Sequence, residues 1–242
     1  GGCDQAPETN KKMVDPTDTQ TTFSLKANST TPQKELLLNW PQWRGPLATG
    51  EAPHANPPVD WNETKNVRWK IPFPYQGHST PIVWGKRIFL TGTLAEGDPL
   101  PVPEQPSGAH NNVDPKRTLR FTVVCIDFKD GGLLWEKTVR NTQPHQSTHE
   151  SSNWASASPV TDGKRVFAFF GSNGLYALDF NGTLLWEKDL GDMQVKHGHG
   201  EGASPALFEN TLVVNWDHEG DSFIVALDKR TGKERWRKPR AE

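Results

Sequence analysis

The sequence predicts an all-β protein built from repeated four-stranded antiparallel units, and three observations carry that prediction. The chain of 242 residues contains 21 Gly and 20 Pro, which favour turns over long helices. It contains 10 Trp but only 2 Tyr and 2 Met. Trp135, Trp186 and Trp236 lie 51 and 50 residues apart, and each closes a segment that a proline opens. A repeat of about 50 residues made of short strands is typical of propeller blades.

Each repeat resolves into four predicted strands separated by short turns. The first two strands flank a tight turn that contains Gly or Asn, residues that tolerate positive φ. The third strand is apolar and ends in an aspartate, whose carboxylate can accept backbone N–H bonds within the next turn. A glycine in that turn precedes the Trp-bearing fourth strand. The segments open at Pro81, Pro159 and Pro205, and their tight turns are Gly85-Lys86, Asp162-Gly163 and Glu209-Asn210.

The end of each repeat follows the pattern A-x-D-x-x-x-G-x-x-x-W. The copies are Cys125, Asp127, Gly131 and Trp135, with Cys for Ala; Ala177, Asp179, Gly182 and Trp186, one residue shorter; and Ala226, Asp228, Gly232 and Trp236. This pattern resembles the tryptophan-docking motif of the PQQ-like β-propeller repeat family, in the quinoprotein alcohol dehydrogenase-like superfamily. The resemblance covers about residues 39–240. We interpret the twelve residues as structural, with no catalytic residue among them.

The number of repeats predicts part of a ring. Trp69, in the segment NVRWKIP, is expected to lie on the outer strand of a further blade, and three full repeats follow it. The resemblance implies a ring of seven or eight blades, in which C-terminal strands complete such an N-terminal strand. We therefore expect about three full blades plus an N-terminal outer strand, as a fragment of a larger propeller.

The flanking segments predict a tether and an insertion. Gly1-Gly2-Cys3 resembles the end of a bacterial lipoprotein signal, which makes Cys3 a predicted lipidation site; the alternative is an ordinary free cysteine. Residues 1–38 are polar and predicted to be a disordered tether, with the propeller at 39–242. Residues 94–118 carry five prolines and are predicted to be an insertion loop, either functional or a tolerated surface excursion.

Composition excludes two classes of protein. The formal net charge of −2 argues against a nucleic-acid binder that works through bulk positive charge. No apolar run approaches the roughly 18–20 residues of a membrane-spanning helix, so a lipid at Cys3 is the expected membrane contact. The sequence also lacks the G-x-S-x-G, Walker A and H-E-x-x-H patterns.

One polar cluster could bind a metal ion. Lys196-His197-Gly198-His199-Gly200-Glu201 precedes the third repeat, and Asp217-His218-Glu219 lies inside it. Imidazoles and carboxylates suit transition metals, so His197, His199, Glu201 and His218 are weak candidate ligands. The alternative is that these residues are solvated or hydrogen-bonded in the propeller funnel. His145 and His149 are weaker candidates still.

The family resemblance makes PQQ and calcium possible cofactors. Dehydrogenases of the superfamily use a catalytic Asp, calcium-binding Glu and Asn residues, and often a disulfide of adjacent cysteines. None of these can be matched here, and the second cysteine, Cys125, sits in an apolar run that predicts burial. The cofactor-binding residues are therefore unknown.

These observations favour a non-catalytic, extracytoplasmic scaffold of the periplasm or cell envelope. It would be lipid-anchored and would bind a protein partner or a small ligand at the propeller face. In this respect it resembles the propeller lipoprotein of the outer-membrane barrel-assembly machinery. Two alternatives remain: a PQQ- and calcium-dependent alcohol or sugar dehydrogenase, and a sensor domain of a larger protein.

Overall fold

A computed structural model describes residues 33–101 and 111–240, and strands dominate them. One short helix, α1 (Gln33–Leu37), comes first, and two 3-10 turns occur at Gly171–Asn173 and Lys196–Gly198. The strands are β1 Ile82–Trp84, β2 Arg87–Glu96, β3 Asn112–Val113, β4 Thr118–Asp127, β5 Leu133–Thr142, β6 Thr148–His149, β7 Val160–Thr161, β8 Arg165–Phe169, β9 Leu175–Asp179, β10 Leu184–Lys188, β11 Ala206–Phe208, β12 Thr211–Trp216, β13 Phe223–Asp228 and β14 Glu234–Pro239.

The strands form three four-stranded antiparallel sheets, which confirms the predicted all-β propeller fold. Blade 1 has the order β1-β2-β4-β5, blade 2 the order β7-β8-β9-β10, and blade 3 the order β11-β12-β13-β14. A separate two-stranded sheet joins β3 to β6. Each blade thus contains one predicted repeat, because every strand pairs with its neighbour in sequence once the β3–β6 sheet is set aside.

The ends of the strands define two faces of the molecule. The turn face carries the short turns within each blade, at 85–86, 128–132, 162–164, 180–183, 209–210 and 229–233. The loop face lies at the opposite strand ends. It carries the longer connections 97–117, 143–159, 170–174, 189–205 and 217–222. Local turn chemistry therefore concentrates on one face and irregular chain on the other.

Apolar side chains fill the spaces between blades. In β12, Leu212, Val214 and Trp216 alternate with partly exposed residues and pack with Phe167 and Phe169 of blade 2. The rings of Phe121 in blade 1 and Phe170 after β8 lie 5.4 Å apart, edge to face. Sheets that bury the side chains of both faces need neighbours on both sides, so each blade depends on the next.

Cys125 lies inside the core of blade 1. It is fully buried, and burial raises the pKa of its thiol to about 12. A thiol that stays protonated is neither a nucleophile nor a metal ligand, so Cys125 acts as a small apolar residue at the position where the other repeats have Ala.

A tryptophan joins each pair of successive blades at the turn face. Trp135 donates its indole N–H to the carbonyl oxygen of Phe180 at 2.8 Å, and its ring lies against Gly182. A Cβ atom on Gly182 would come within 2.9 Å of that ring, so the contact requires glycine. Trp186 repeats the arrangement on Lys229 and Gly232, and Trp69 repeats it on Phe128 and Gly131.

The turn aspartates hold the acceptor carbonyls in place. In blade 3, Asp228 accepts the backbone N–H of Arg230 and a hydrogen bond from the Arg235 guanidinium. The hydrogen bond from Arg235 has the largest effect and the bond from Arg230 adds to it, so the pKa of Asp228 is lowered to about 2. Asp179 accepts the N–H groups of Asn181 and Thr183 in the equivalent turn of blade 2. Burial would raise the pKa of Asp179, but these bonds outweigh it and lower the value.

A buried ion pair adds a second link between blades 2 and 3. The ammonium group of Lys229 lies 2.9 Å from the Asp162 carboxylate, and their side chains are 9% and 5% exposed. Burial pushes the pKa of Asp162 upward. Hydrogen bonds from Lys229 and from the backbone N–H of Lys164 outweigh that effect and lower it. Arg165 provides a second, longer contact at 3.3 Å.

The structure corrects two expectations about the N-terminal segment. Trp69 was predicted to lie on an outer strand, but residues 67–70 belong to no strand. Its ring instead joins Ile71 and Tyr75 in covering the apolar face of Ile88, Val124 and Ile126 in blade 1. The predicted tether also ends earlier than residue 38, because α1 forms at 33–37 and Leu36 packs on the core of blade 1. Residues 1–32, including Cys3, lie outside the described residues.

The predicted insertion is shorter than residues 94–118. Leu94, Ala95 and Glu96 extend β2, and they pair with Arg120, Leu119 and Thr118 of β4. The strand therefore continues through residues 94–96, because its backbone pairing with β4 extends past the core. The connection occupies residues 97–117, of which 102–110 lie outside the described residues.

Replacing Trp186 with Phe tests the indole contact. The variant keeps an aromatic ring but leaves the Lys229 carbonyl without its donor, so we expect a loss of about 1–2 kcal/mol in unfolding free energy. Trp236 is the matched control: its side chain is 42% exposed and its indole has no hydrogen-bond partner among residues 33–101 and 111–240. Trp236→Phe in the 242-residue chain should change stability by less than about 0.5 kcal/mol in urea titrations. Equal effects of the two substitutions would contradict this role of the indole N–H.

Replacing Lys229 with Met tests the buried ion pair. We expect a loss of about 3 kcal/mol at pH 7, because the Asp162 carboxylate loses its closest cation. The pKa of Asp162 in the folded protein lies below its unfolded-state value of about 3.9. The ion pair therefore stabilises the folded protein fully above that pH, and the stabilisation is lost as the pH falls through the folded-state pKa. The difference in unfolding free energy between wild type and the Lys229→Met variant should therefore become smaller below about pH 4. Lys164→Met, at an exposed neighbouring lysine, is the control. A stability difference between wild type and Lys229→Met that does not change with pH would show that the ion pair does not cause it.

Candidate functional site

A cleft lies on the loop face beside blades 2 and 3. Its volume is about 280 Å³. Residues 193–196 and 199–203 of the connection between the two blades form one wall, and residues 217–219 of the β12–β13 loop form the other. Met193, Val195 and Ala203 supply apolar surface, while the remaining side chains are polar or charged. A cleft of this composition can bind a polar group and cover an apolar one.

Glu201 anchors the first wall to blade 2. Its carboxylate accepts the backbone N–H of Ser172 at 2.6 Å and the Ser172 hydroxyl at 2.5 Å. The same hydroxyl accepts the N–H of Met193 at 2.7 Å. Gly171 makes room for the carboxylate, because a Cβ there would lie 1.6 Å from an oxygen of Glu201. Burial raises the pKa of Glu201, although the bonds from Ser172 act in the opposite direction. The carboxyl group is thus committed to holding the wall.

Three histidines cluster beside the cleft. The ring centroid of His199 lies 5.5 Å from that of His149 and 5.7 Å from that of His197. His218 lines the opposite wall and packs edge-on against Trp216. His145 reaches the same connection through a 2.8 Å contact between its Nε2 and the Met193 carbonyl. The fold therefore brings together histidines that are up to 73 residues apart in sequence.

Backbone hydrogen bonds determine which ring nitrogens carry protons. The Nδ1 atom of His149 accepts the N–H of Ser151, and the Nδ1 atom of His218 accepts the N–H of Gln194 at 3.1 Å. A neutral imidazole that accepts at Nδ1 must carry its proton on Nε2. Nε2 of these two rings is then a hydrogen-bond donor, which is the opposite of what a metal ligand requires.

The four candidate metal ligands do not form a metal centre. His199, Glu201 and His218 line the cleft, whereas His197 is not among its lining residues. Within residues 33–101 and 111–240, no three His, Cys, Asp or Glu side chains are placed to hold a metal ion together. Asp217 is engaged by Arg240 at 3.0 Å and by Asn215 at 2.7 Å. The cleft is therefore a polar pocket with hydrogen-bond donors and acceptors.

The described residues assign no side chain to the quinone and calcium that the sequence resemblance suggested. The motif aspartates Asp127, Asp179 and Asp228 bond to their own turns on the turn face, away from the cleft. Glu201 already bonds to Ser172, and Cys125 is buried in blade 1.

No described helix has the length and apolar character needed to cross a membrane.

Sequence reasoning identified the polar cluster but missed its supports. Ser172 and Gly171 lie in the apolar-flanked segment FFGSNG, which reads as an ordinary turn. The β3–β6 pairing joins two polar segments without alternation, so no periodic signal predicts it. Both contacts depend on chain segments far apart in sequence.

Several solved structures are similar to this chain at low identity. BamB from Moraxella catarrhalis is 19% identical with a TM-score of 0.32, covering 52% of this chain and 34% of that one. Quinohemoprotein alcohol dehydrogenase ADHIIG from Pseudomonas putida HK5 is 16% identical with a TM-score of 0.44, covering 72% of this chain and 22% of that one. AztD from Citrobacter koseri is 14% identical with a TM-score of 0.34, covering 69% and 48%.

The chain thus spans about a third of the length of the BamB structure and less of the dehydrogenase. No curated protein gives a significant sequence match. The sequence signature of one family matches twice, at residues 118–182 and 174–242. Together the two matches cover slightly more than half of the chain. The chain belongs to the family described as outer membrane protein assembly factor BamB.

Proposed function

We propose that this protein is a non-catalytic, extracytoplasmic scaffold that binds a protein partner at the cleft on its loop face. The observation that carries the proposal is the division between the two faces. The repeated indole-to-carbonyl contacts between blades lie at the turn face, whereas the long connections and the cleft lie at the loop face. Loops held by a rigid scaffold are the usual place for recognition.

The chemistry of the cleft suits binding. His218 offers an Nε2–H donor, Lys196 a cation, and Asp217 and Glu219 offer acceptors, around the apolar surface of Met193 and Val195. A cleft of 280 Å³ admits one or two side chains of a partner or a small ligand. The family description, an assembly factor of outer membrane proteins, favours the protein partner and an envelope location.

The same residues give little support to catalysis. Ser172 and Glu201 form a short hydroxyl–carboxylate pair, but Ser172 is only 3% exposed and its oxygen also accepts the Met193 N–H. A nucleophile must reach its substrate and face a base that takes its proton. Here the pair is shielded and ties two loops together.

Site-specific photocrosslinking tests the binding surface. A photoreactive amino acid at Glu219, on the cleft wall, should give a discrete crosslinked product in cells that express the natural full-length protein. The matched position is Glu209, an exposed glutamate in a turn on the opposite face, which should give much less product. Mass spectrometry of the product identifies the partner. Equal crosslinking from both positions, or none from Glu219, would contradict the proposed surface.

An activity assay separates the scaffold from the dehydrogenase alternative. The full-length protein is loaded with PQQ and Ca²⁺ and assayed for dye-linked oxidation of alcohols and sugars. We expect no turnover above the rate of the unloaded protein. Quinone binding accompanied by turnover would overturn the non-catalytic assignment.

Lipid anchoring is proposed from the sequence around Cys3. The Cys3→Ser variant, expressed behind a leader that a general signal peptidase removes, should appear in the soluble periplasmic fraction and not in the membrane fraction. Ser24→Ala in the same polar segment is the control and should leave the protein membrane-bound. A Cys3→Ser variant that remains with the membranes would show that another feature anchors the protein.

A further inference from the structure

The insertion of blade 1 extends above the loop face. Strands β2 and β4 pair over ten residues each, from Arg87 opposite Asp127 to Glu96 opposite Thr118. The equivalent pairs are five residues long in blade 2 and six in blade 3. Four extra residues at about 3.4 Å each lift the end of this hairpin by about 14 Å. The insertion therefore starts well beyond the ends of the other blades.

The chain that returns from the insertion crosses to the next connection. We call residues 111–117 the strap. Its strand β3 pairs with β6, placing Asn112 opposite His149 and Val113 opposite Thr148. The N–H of Glu150 donates to the carbonyl of Asn111 at 2.9 Å. The strap is thereby fixed to the connection between blades 1 and 2.

The same segment reaches the connection between blades 2 and 3. The side-chain amide of Asn112 donates to the carbonyl oxygen of His197, and Asn112 is only 6% exposed. The His199 carbonyl accepts long hydrogen bonds of 3.4 Å from the His149 N–H and from the Thr148 hydroxyl. A Cβ on Gly200 would lie 2.5 Å from that hydroxyl, so the two connections are in close contact.

Two residues of this crossing adopt a costly backbone conformation. Asn111 has φ 63° and His197 has φ 61°, in the left-handed region that non-glycine residues rarely occupy. Such a conformation persists where surrounding contacts hold it. Both residues contribute carbonyl oxygens to the crossing bonds. The backbone of the cleft wall next to His199 is thus shaped by contacts from outside its own blade.

We propose that the strap is a conformational device that couples strands β3 and β6 to the cleft wall at residues 195–203. Through Asn112 it links three successive blades on the loop face, so a change in the position of residues 111–117 changes how firmly the wall is held. This coupling is independent of which partner the cleft binds, because it concerns the mobility of the wall. Asn112 acts as a positioning residue and lies outside the cleft lining.

Hydrogen–deuterium exchange tests the coupling. In the Asn112→Ala variant of the full protein, amides of residues 195–203 should exchange about tenfold faster than in wild type, as expected when the Asn112 amide no longer donates to the His197 carbonyl and the Ser147 hydroxyl. Asn112→Asp, which keeps the size of the side chain but removes the N–H donor, should have the same effect. Exchange in strands β8, β9, β12 and β13 should stay at the wild-type rate in both variants.

Asn153→Ala is the matched control. Asn153 is also buried and lies on the loop face, but its side chain accepts the N–H of Ala155 within its own connection. It should leave exchange at 195–203 unchanged. Unchanged exchange in both Asn112 variants, or an equal increase in Asn153→Ala, would overturn the proposed coupling. Faster exchange throughout the blades of both Asn112 variants would also overturn it, because Asn112 would then support the whole fold.

Discussion

The indole-to-carbonyl contact between successive blades is the interaction on which the rest of the structure depends. A four-stranded sheet has two faces to cover and cannot cover them alone. Trp135 and Trp186 each place a flat ring and one N–H donor on the next blade, where a turn glycine leaves space for the ring. The aspartate of that turn orients the accepting carbonyl by bonding its own backbone. One small motif therefore fixes the distance and the orientation of two blades together.

Both faces carry contacts between successive blades. The turn face has the indole contacts and the buried pair of Asp162 and Lys229. The loop face has polar contacts between connections, such as the one from the N–H of Val195 to the side chain of Gln146. Its connections still need internal support. Glu201 and Ser172 support the wall at residues 193–203, and the strap that contains Asn112 supports the same connection through the His197 carbonyl. The cleft wall is thus held by polar contacts, which are more easily adjusted than a packed core.

Prediction from the sequence was successful for the blades because their information is local and repeated. The spacing of the tryptophans, the aspartate–glycine turns and the apolar third strands appear three times, so each copy supports the others. It was wrong for Trp69, because the motif residue is present but the strand ladder around it is not. It was also wrong at residues 94–96, where backbone pairing to β4 extends the strand beyond its apolar segment. The roles of Cys3 and of the ring beyond these blades stay predictions.

The sequence by itself determined the repeat, its four strands and the residues that meet between blades, because turn preference and side-chain alternation act over a few residues. Only the tertiary structure decided the candidate site. His149 and His199 lie 50 residues apart in sequence, and their rings approach to 5.5 Å because two connections meet on one face. The proton position on His149 and His218, and the commitment of Glu201 to Ser172, follow from bonds to distant or irregular backbone. Such bonds leave no periodic trace in a sequence, which is why the residue types alone left metal binding and hydrogen bonding as alternatives and the folded geometry places the residues beside a polar cleft.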